Sequence, residues 1–130
     1  FFFFLGNDIY SFAVGDGHDL INNTDAVNGN DKVLFDVGIG ADQLWLRQLG
    51  NDLEISIIGR ADSIKVQNWY SDEAKRIDSF ELAEGNVLLA SEVQNLVAAM
   101  SAFTPPSLGQ TSLTSAQHQA LDGVIAANWS

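Results

Sequence analysis

The sequence predicts a mainly β fold: a short parallel β-solenoid fragment, continued by antiparallel strands and hairpins, with two C-terminal helices. Three observations carry that expectation. A Gly-x-Asp-x-apolar phrase occurs as Gly6-Asn7-Asp8-Ile9-Tyr10, Gly17-His18-Asp19-Leu20-Ile21 and Gly29-Asn30-Asp31-Lys32-Val33, with its glycines eleven and twelve residues apart. The middle of the chain alternates apolar and polar residues, as a half-buried strand does. The last third changes to apolar spacing with the period of a helix.

In the first third, short β-prone pieces (Ile9 to Val14, Leu20-Ile21, Val33 to Phe35) lie between the glycine-rich turns. Turn and short strand in repetition is how a parallel solenoid is written in sequence. Glycine permits positive φ, so such a turn can aim its carbonyls inward. The aspartate two positions later adds a hard carboxylate oxygen, and the next apolar residue points into the stack. Oxygen donors from stacked turns suit Ca²⁺, which takes about six to eight of them. Zinc would call for Cys or His, and the chain has no cysteine and two histidines.

In the middle, Gln43 to Leu49 reads as a strand, Gly50-Asn51-Asp52 as a turn and Leu53 to Ile58 as the returning strand. Ile64 and Val66 continue the alternation towards Trp69-Tyr70. Ile77 to Leu82 and Val87 to Leu89 form a hairpin about Glu84-Gly85-Asn86. Two capping boxes then announce helices, Ser91 with Gln94 and Thr114 with Gln117. Val93, Leu96, Val97 and Met100 make the first apolar stripe, and Leu121, Val124 and Ile125 the second. Ordinary core packing accounts for both stripes. Pro105-Pro106 and the polar stretch to Ser112 separate the helices. The organisation expected is therefore 1–36 repeats, 37–90 antiparallel β segment and 91–130 helical tail.

Composition narrows the function. Seventeen acidic residues against six basic ones give a net charge of -11. No basic footprint is available for nucleic acid or for an anionic membrane. Phe1 to Leu5 is apolar but too short to span a bilayer, and it lacks the basic region and cleavage site of a secretory signal. It reads as a cut point or as a strand packed inside the repeat stack. No Gly-x-Ser-x-Gly or His-Glu-x-x-His motif is present, and neither His18 nor His118 has a triad context. Asp36, Asp42, Asp52, Asp62, Asp72 and Asp78 read as turn formers and solvated faces rather than as a glycosidase pair. Trp45, Trp69 and Trp129 could form a sugar platform, although aromatic residues on strands are more often core.

The central unit, Gly15-Asp16-Gly17-His18-Asp19-Leu20-Ile21, resembles the haemolysin-type calcium-binding (RTX) repeat, a calcium-binding nonapeptide built on Gly-x-Gly-x-Asp-x-apolar. The first unit departs from the pattern, with Phe3 and Phe4 where a glycine pair belongs, and the spacing exceeds that of the repeat. The resemblance continues through Leu34-Phe35, Gln43 to Arg47, Gly50 to Leu53 and Asp62-Ser63-Ile64-x-Val66-x-Asn68-Trp69-Tyr70, which look like the segment that follows RTX arrays. The tail is similar to the carboxy-terminal end of adenylate-cyclase-toxin-like proteins.

The resemblance implies a β-roll in which two repeats make one coil and ions sit between coils. It implies calcium ligands drawn from Gly6, Asn7, Asp8, Gly15, Gly17, Asp19, Gly29, Asn30 and Asp31. Asp8 and Asp31 would share one edge of the roll, and Asp19 would lie on the other. It further implies a non-catalytic, secreted module of a Gram-negative bacterium, with any enzymatic activity upstream in the parent chain. Its partners would be calcium ions, upstream repeats and, transiently, the type I secretion machinery. A carbohydrate- or surface-binding module with structural calcium is the alternative. An assembly domain pairing through Phe1 to Leu5 is a third reading.

Overall fold

The computed structural model describes residues 9–12, 15, 17–21, 32–71, 77–104, 106, 109–110 and 112–129. The expected strand at Phe1 to Leu5 lies outside the described residues, as does Pro105 of the inter-helix linker. The architecture is mainly β, with eight strands in two mixed sheets and two C-terminal helices among the described residues.

Three strands at the start of the chain are short: β1 (Ile9–Phe12), β2 (His18–Ile21) and β3 (Lys32–Phe35). Then come the hairpin β4 (Leu44–Leu49) and β5 (Asp52–Ile57), β6 (Ser63–Val66), and the hairpin β7 (Ser79–Leu82) and β8 (Val87–Leu89). One sheet has the order β1-β3-β7-β8 and the other β2-β6-β5-β4. The first four strands therefore alternate between the two sheets; β4, β5 and β6 then share one sheet, and β7 and β8 the other. β1, β3 and β7 are parallel, with Ile9 opposite Lys32 and Lys32 opposite Ser79. β2 and β6 are parallel too, with Asp19 opposite Ile64.

The parallel stack thus runs further than the repeats that announce it. β6 and β7 extend it, while β4, β5 and β8 add antiparallel partners at the far edges. Alternation of apolar residues reveals which face of a strand is inward, not which strand lies beside it. That is why Ile64 and Val66 read only as a continuation of the antiparallel run.

Period-two burial holds in β5, where Leu53, Ile55 and Ile57 point inward and Glu54 and Ser56 outward. Inward rows from both sheets join one core, among them Tyr10, Phe12, Val33, Ile55, Ile64, Val66 and Phe80. Trp69, just beyond β6, meets Phe80 of β7 with ring centroids 5.9 Å apart, linking the two sheets. Trp69 is reached through Asn68, which adopts φ +60°. Asparagine tolerates the left-handed region better than most residues because its short amide can bond locally. At the β7–β8 turn the expected glycine, Gly85, takes φ +107°, and its amide donates to Leu82 O at 2.9 Å.

Helix α1 (Val93–Met100) packs on β4 and on helix α2 (Ser115–Asn128). The Leu46 amide of β4 even donates to Met100 Sδ at 3.3 Å. The capping box expected at Ser91 with Gln94 does not form. A 3-10 turn, Ala90–Glu92, leads directly into α1, whose N-cap is Glu92 with no side-chain cap bond. The chain enters from β8 already turning, so the first amides of α1 meet the 3-10 turn and not a serine in extended backbone. At α2 the box is complete: Thr114 Oγ1 accepts from the Gln117 amide at 3.2 Å, and Gln117 Oε1 accepts from the Thr114 amide at 2.8 Å. Asn95 of α1 and Asn128 of α2 are joined by a 2.9 Å side-chain bond. Trp129 is buried beyond α2, its ring 6.4 Å from that of Phe35.

Candidate functional site

The glycine repeat is described best at its central unit. Gly15 and Gly17 take φ values of +96° and +78°, which a side chain would strain. The conformation turns their amides, rather than only their carbonyls, towards a common point. Asp62, from the residue just before β6, places its carboxylate there. Oδ2 accepts from the Gly15 amide at 3.0 Å and Oδ1 from the Gly17 amide at 2.9 Å. Successive backbone amides converging in this way make an anion-binding concavity.

The next residue continues the joint. The Ser63 amide donates to Gly17 O at 2.9 Å, opening the β2–β6 ladder, and Ser63 Oγ lies 2.6 Å from His18 Nδ1. Asp62 is only 7% exposed. Its carboxyl titrates below the ordinary aspartate range. The hydrogen bond from the Gly15 amide contributes most to this, then that from Gly17; burial opposes them, and the charges of Arg60 and His18 assist.

Asp19 lies within β2, half-buried, and lines a cleft of about 250 Å³ with His18, Leu20, Glu54, Ser63 and Lys65. The remaining expected calcium ligands, Gly6, Asn7, Asp8, Gly29, Asn30 and Asp31, lie outside the described residues. Strand register still bears on them. Lys32 of β3 lies opposite Ile9 of β1 on one side and Ser79 of β7 on the other, and in the sequence each of the three directly follows an aspartate: Asp8, Asp31 and Asp78.

Among the described residues, no group of three or more His, Cys, Asp or Glu side chains could hold a metal ion. The Gly15–Gly17 bend holds an anion, the Asp62 carboxylate. Its inward amides carry partial positive charge, and a carboxylate already accepts from both.

Other carboxylates bond backbone amides, Asp36 within its own turn and Asp52 across sixteen residues. Asp36 Oδ1 accepts from the Val37 amide at 2.8 Å, and Asp52 Oδ1 from the Asn68 amide at 2.8 Å. Trp45, Trp69 and Trp129 are 1%, 2% and 3% exposed, so they are core residues and form no open platform. His118 pairs with Asp122 on the surface of α2 at 2.8 Å. Sequence reasoning read Asp62 and Asp78 only as turn formers and solvated faces. The signal for Asp62 was its place at the head of the Asp-Ser-Ile-x-Val run, and for Asp78 its place before the β7 strand.

Comparison with known proteins agrees with this layout. The family model of the haemolysin-type calcium binding protein related domain matches residues 52–92. That span runs from the first residue of β5 to the 3-10 turn before α1, and it contains Asp62, Asp78 and β6 to β8. Iron-regulated protein FrpA of Neisseria meningitidis serogroup C is 34% identical over 92 residues, which make up 68% of this chain and 8% of that protein. The chain thus corresponds to a small part of a much longer relative.

Proposed function

From a chain that carries a haemolysin-type calcium-binding-protein-related domain over residues 52–92, we propose the following function. It is a non-catalytic module of a secreted RTX protein that takes up Ca²⁺ on one edge of its roll and covers the end of that roll. The ligands proposed are Gly6, Asn7 and Asp8 with Gly29, Asn30 and Asp31, and Asp78 is added to them. The observation that carries the reading is the parallel register of β1, β3 and β7, which brings three strands preceded by aspartate into line. Calcium would supply positive charge to a column of carboxylates that otherwise repel one another.

The linkage is simple. An ion that binds only the folded form adds RT ln(1 + [L]/Kd) to stability. Extracellular calcium sites have affinities of roughly 10⁻⁴ to 10⁻³ M. At calcium of about 10⁻³ M each such site would contribute roughly 0.4–1.4 kcal/mol, and a few sites together a few kcal/mol, a sizeable share of the marginal stability of a domain. Inside a cell the calcium edge of the module would stay loose, as export through a type I channel requires. No helix among the described residues is long and apolar enough to cross a membrane. β4, β8 and the helices would shield sheet edges that could otherwise pair with other chains.

Far-UV circular dichroism during Ca²⁺ addition, with Mg²⁺ as control, tests the proposal. A saturable gain of β signal with Ca²⁺ alone supports it. A spectrum unmoved by calcium, together with no heat of binding, would sink it.

A further inference from the structure

We infer that the joint between β2 and β6 closes without a metal ion: Asp62 is an internal anion that latches the Gly15–Gly17 bend, so this edge of the roll is self-liganded. The inference deepens the calcium reading and rests on it for the contrast between the two edges.

Five contacts carry it. Both carboxylate oxygens of Asp62 are engaged, one by each glycine amide, at 3.0 and 2.9 Å. Gly17 O is taken by the Ser63 amide at 2.9 Å. The Asp62 carbonyl accepts from the Ile57 amide at 3.0 Å, so the latch is tied back to the end of β5. Ser63 Oγ reaches His18 Nδ1 at 2.6 Å on the outer side of the same joint. Residues 45 and 47 positions away in sequence are thereby held to one another through polar groups of the chain itself.

The chemistry follows from the direction of the dipoles. A turn that binds a cation aims carbonyl oxygens at it, whereas this turn aims N–H groups at a common point. A cation placed there would meet the positive ends of two amides. A carboxylate meets them with charge-assisted hydrogen bonds, about twice as strong as neutral ones. The repeat motif at Gly15-Asp16-Gly17-His18-Asp19 has thus kept its glycines for the turn and given the partner role to Asp62. The capping segment would then dock on the roll in two different ways. One edge waits for calcium, and the other is fastened by a residue of the related domain itself.

Amide hydrogen exchange by NMR on the full chain decides the matter, measured in chelator and in saturating Ca²⁺. The Gly15, Gly17 and Ser63 amides should be protected in chelator, and to within roughly twofold of their protection in calcium. Asp62→Asn should speed their exchange by about tenfold or more in both conditions, as loss of a charged hydrogen bond does. The same variant should leave calcium affinity, measured by calorimetry, within about twofold of the parent. Should Asp62→Asn not fold, the parent protein alone still decides. If these amides exchange freely in chelator and become protected only when calcium is added, the latch is overturned. Loss of calcium uptake in a folded Asp62→Asn chain would overturn it equally. Protected amides in a chain that takes up no calcium would sink the calcium reading and leave the latch standing.

Discussion

Asp52, the first residue of β5, accepts a 2.8 Å hydrogen bond from the backbone amide of Asn68, which lies beyond the end of β6. The bond fixes the corner at which the chain leaves one sheet and delivers Trp69 to the core against Phe80. Asn68 takes φ +60° there. Asn68→Val should cost about 1–2 kcal/mol, because a β-branched residue is strained in that region. Asn68→Gly should be near neutral, having no Cβ to accommodate. Asp52→Ala should cost about 1–2 kcal/mol for the amide left unpaired. Urea unfolding of the three variants gives the order directly, and equal losses for valine and glycine would count against the strained corner.

The pH dependence of stability follows from Asp62. Its folded carboxyl titrates lower than the usual 3.8, chiefly because the Gly15 and then the Gly17 amide bond the ionised form. In the unfolded chain it titrates at the ordinary value. Above that value both states are ionised and the stabilisation is fully present. As pH falls below it, the unfolded chain takes up the proton first, and the advantage shrinks until the folded carboxyl is protonated as well. Urea midpoints in calcium-free buffer should therefore fall between about pH 5 and pH 2. Asp62→Asn should fall less over the same window, and parallel curves for the two proteins would refute the assignment.

Trp129 offers a test of the tail. Its ring sits edge-on to Phe35 at 6.4 Å, and Asn86 Nδ2 reaches its carbonyl at 3.5 Å. Truncation to alanine should cost about 3–5 kcal/mol, the usual range for a buried large aromatic. Trp129→Phe should cost well under half as much. It keeps the ring contact and removes a buried indole N–H that has no hydrogen-bond partner among the described residues. Thermal unfolding measures both, and an alanine variant as stable as the parent would mean the tail is not docked.

Two serine/threonine caps that look alike in sequence should behave differently. Thr114→Ala should lose about 1 kcal/mol, since its hydroxyl and Gln117 complete a capping box. Ser91→Ala should stay within about 0.5 kcal/mol, because Ser91 caps nothing and is exposed. Equal losses would show that the 3-10 entry to α1 is not maintained in solution.

What could be read ahead of the structure was what is local. Alternation at Leu53, Ile55 and Ile57 marked β5 and its inward face; Gly85 marked a hairpin turn; Thr114 and Gln117 marked the start of α2. Pairings between distant residues were not legible. Nothing near Asp62 in sequence announces Gly15 and Gly17, and nothing in the β7 strand announces that it lies beside β3. Ser91 with Gln94 shows the reverse case, a local motif overruled because the preceding strand delivers the chain already coiled. The glycine repeat was visible as a turn, but the direction of its amides depends on backbone dihedrals that composition does not record.

The burial of Trp129 has a temporal consequence. A ribosome works from the amino end, so the last aromatic of this core becomes available only after every strand has been made. Until then Phe35 has its contact with Phe12 but not that with Trp129, and this part of the core stays incomplete. Completion of the fold is thus deferred past the synthesis of all that precedes it.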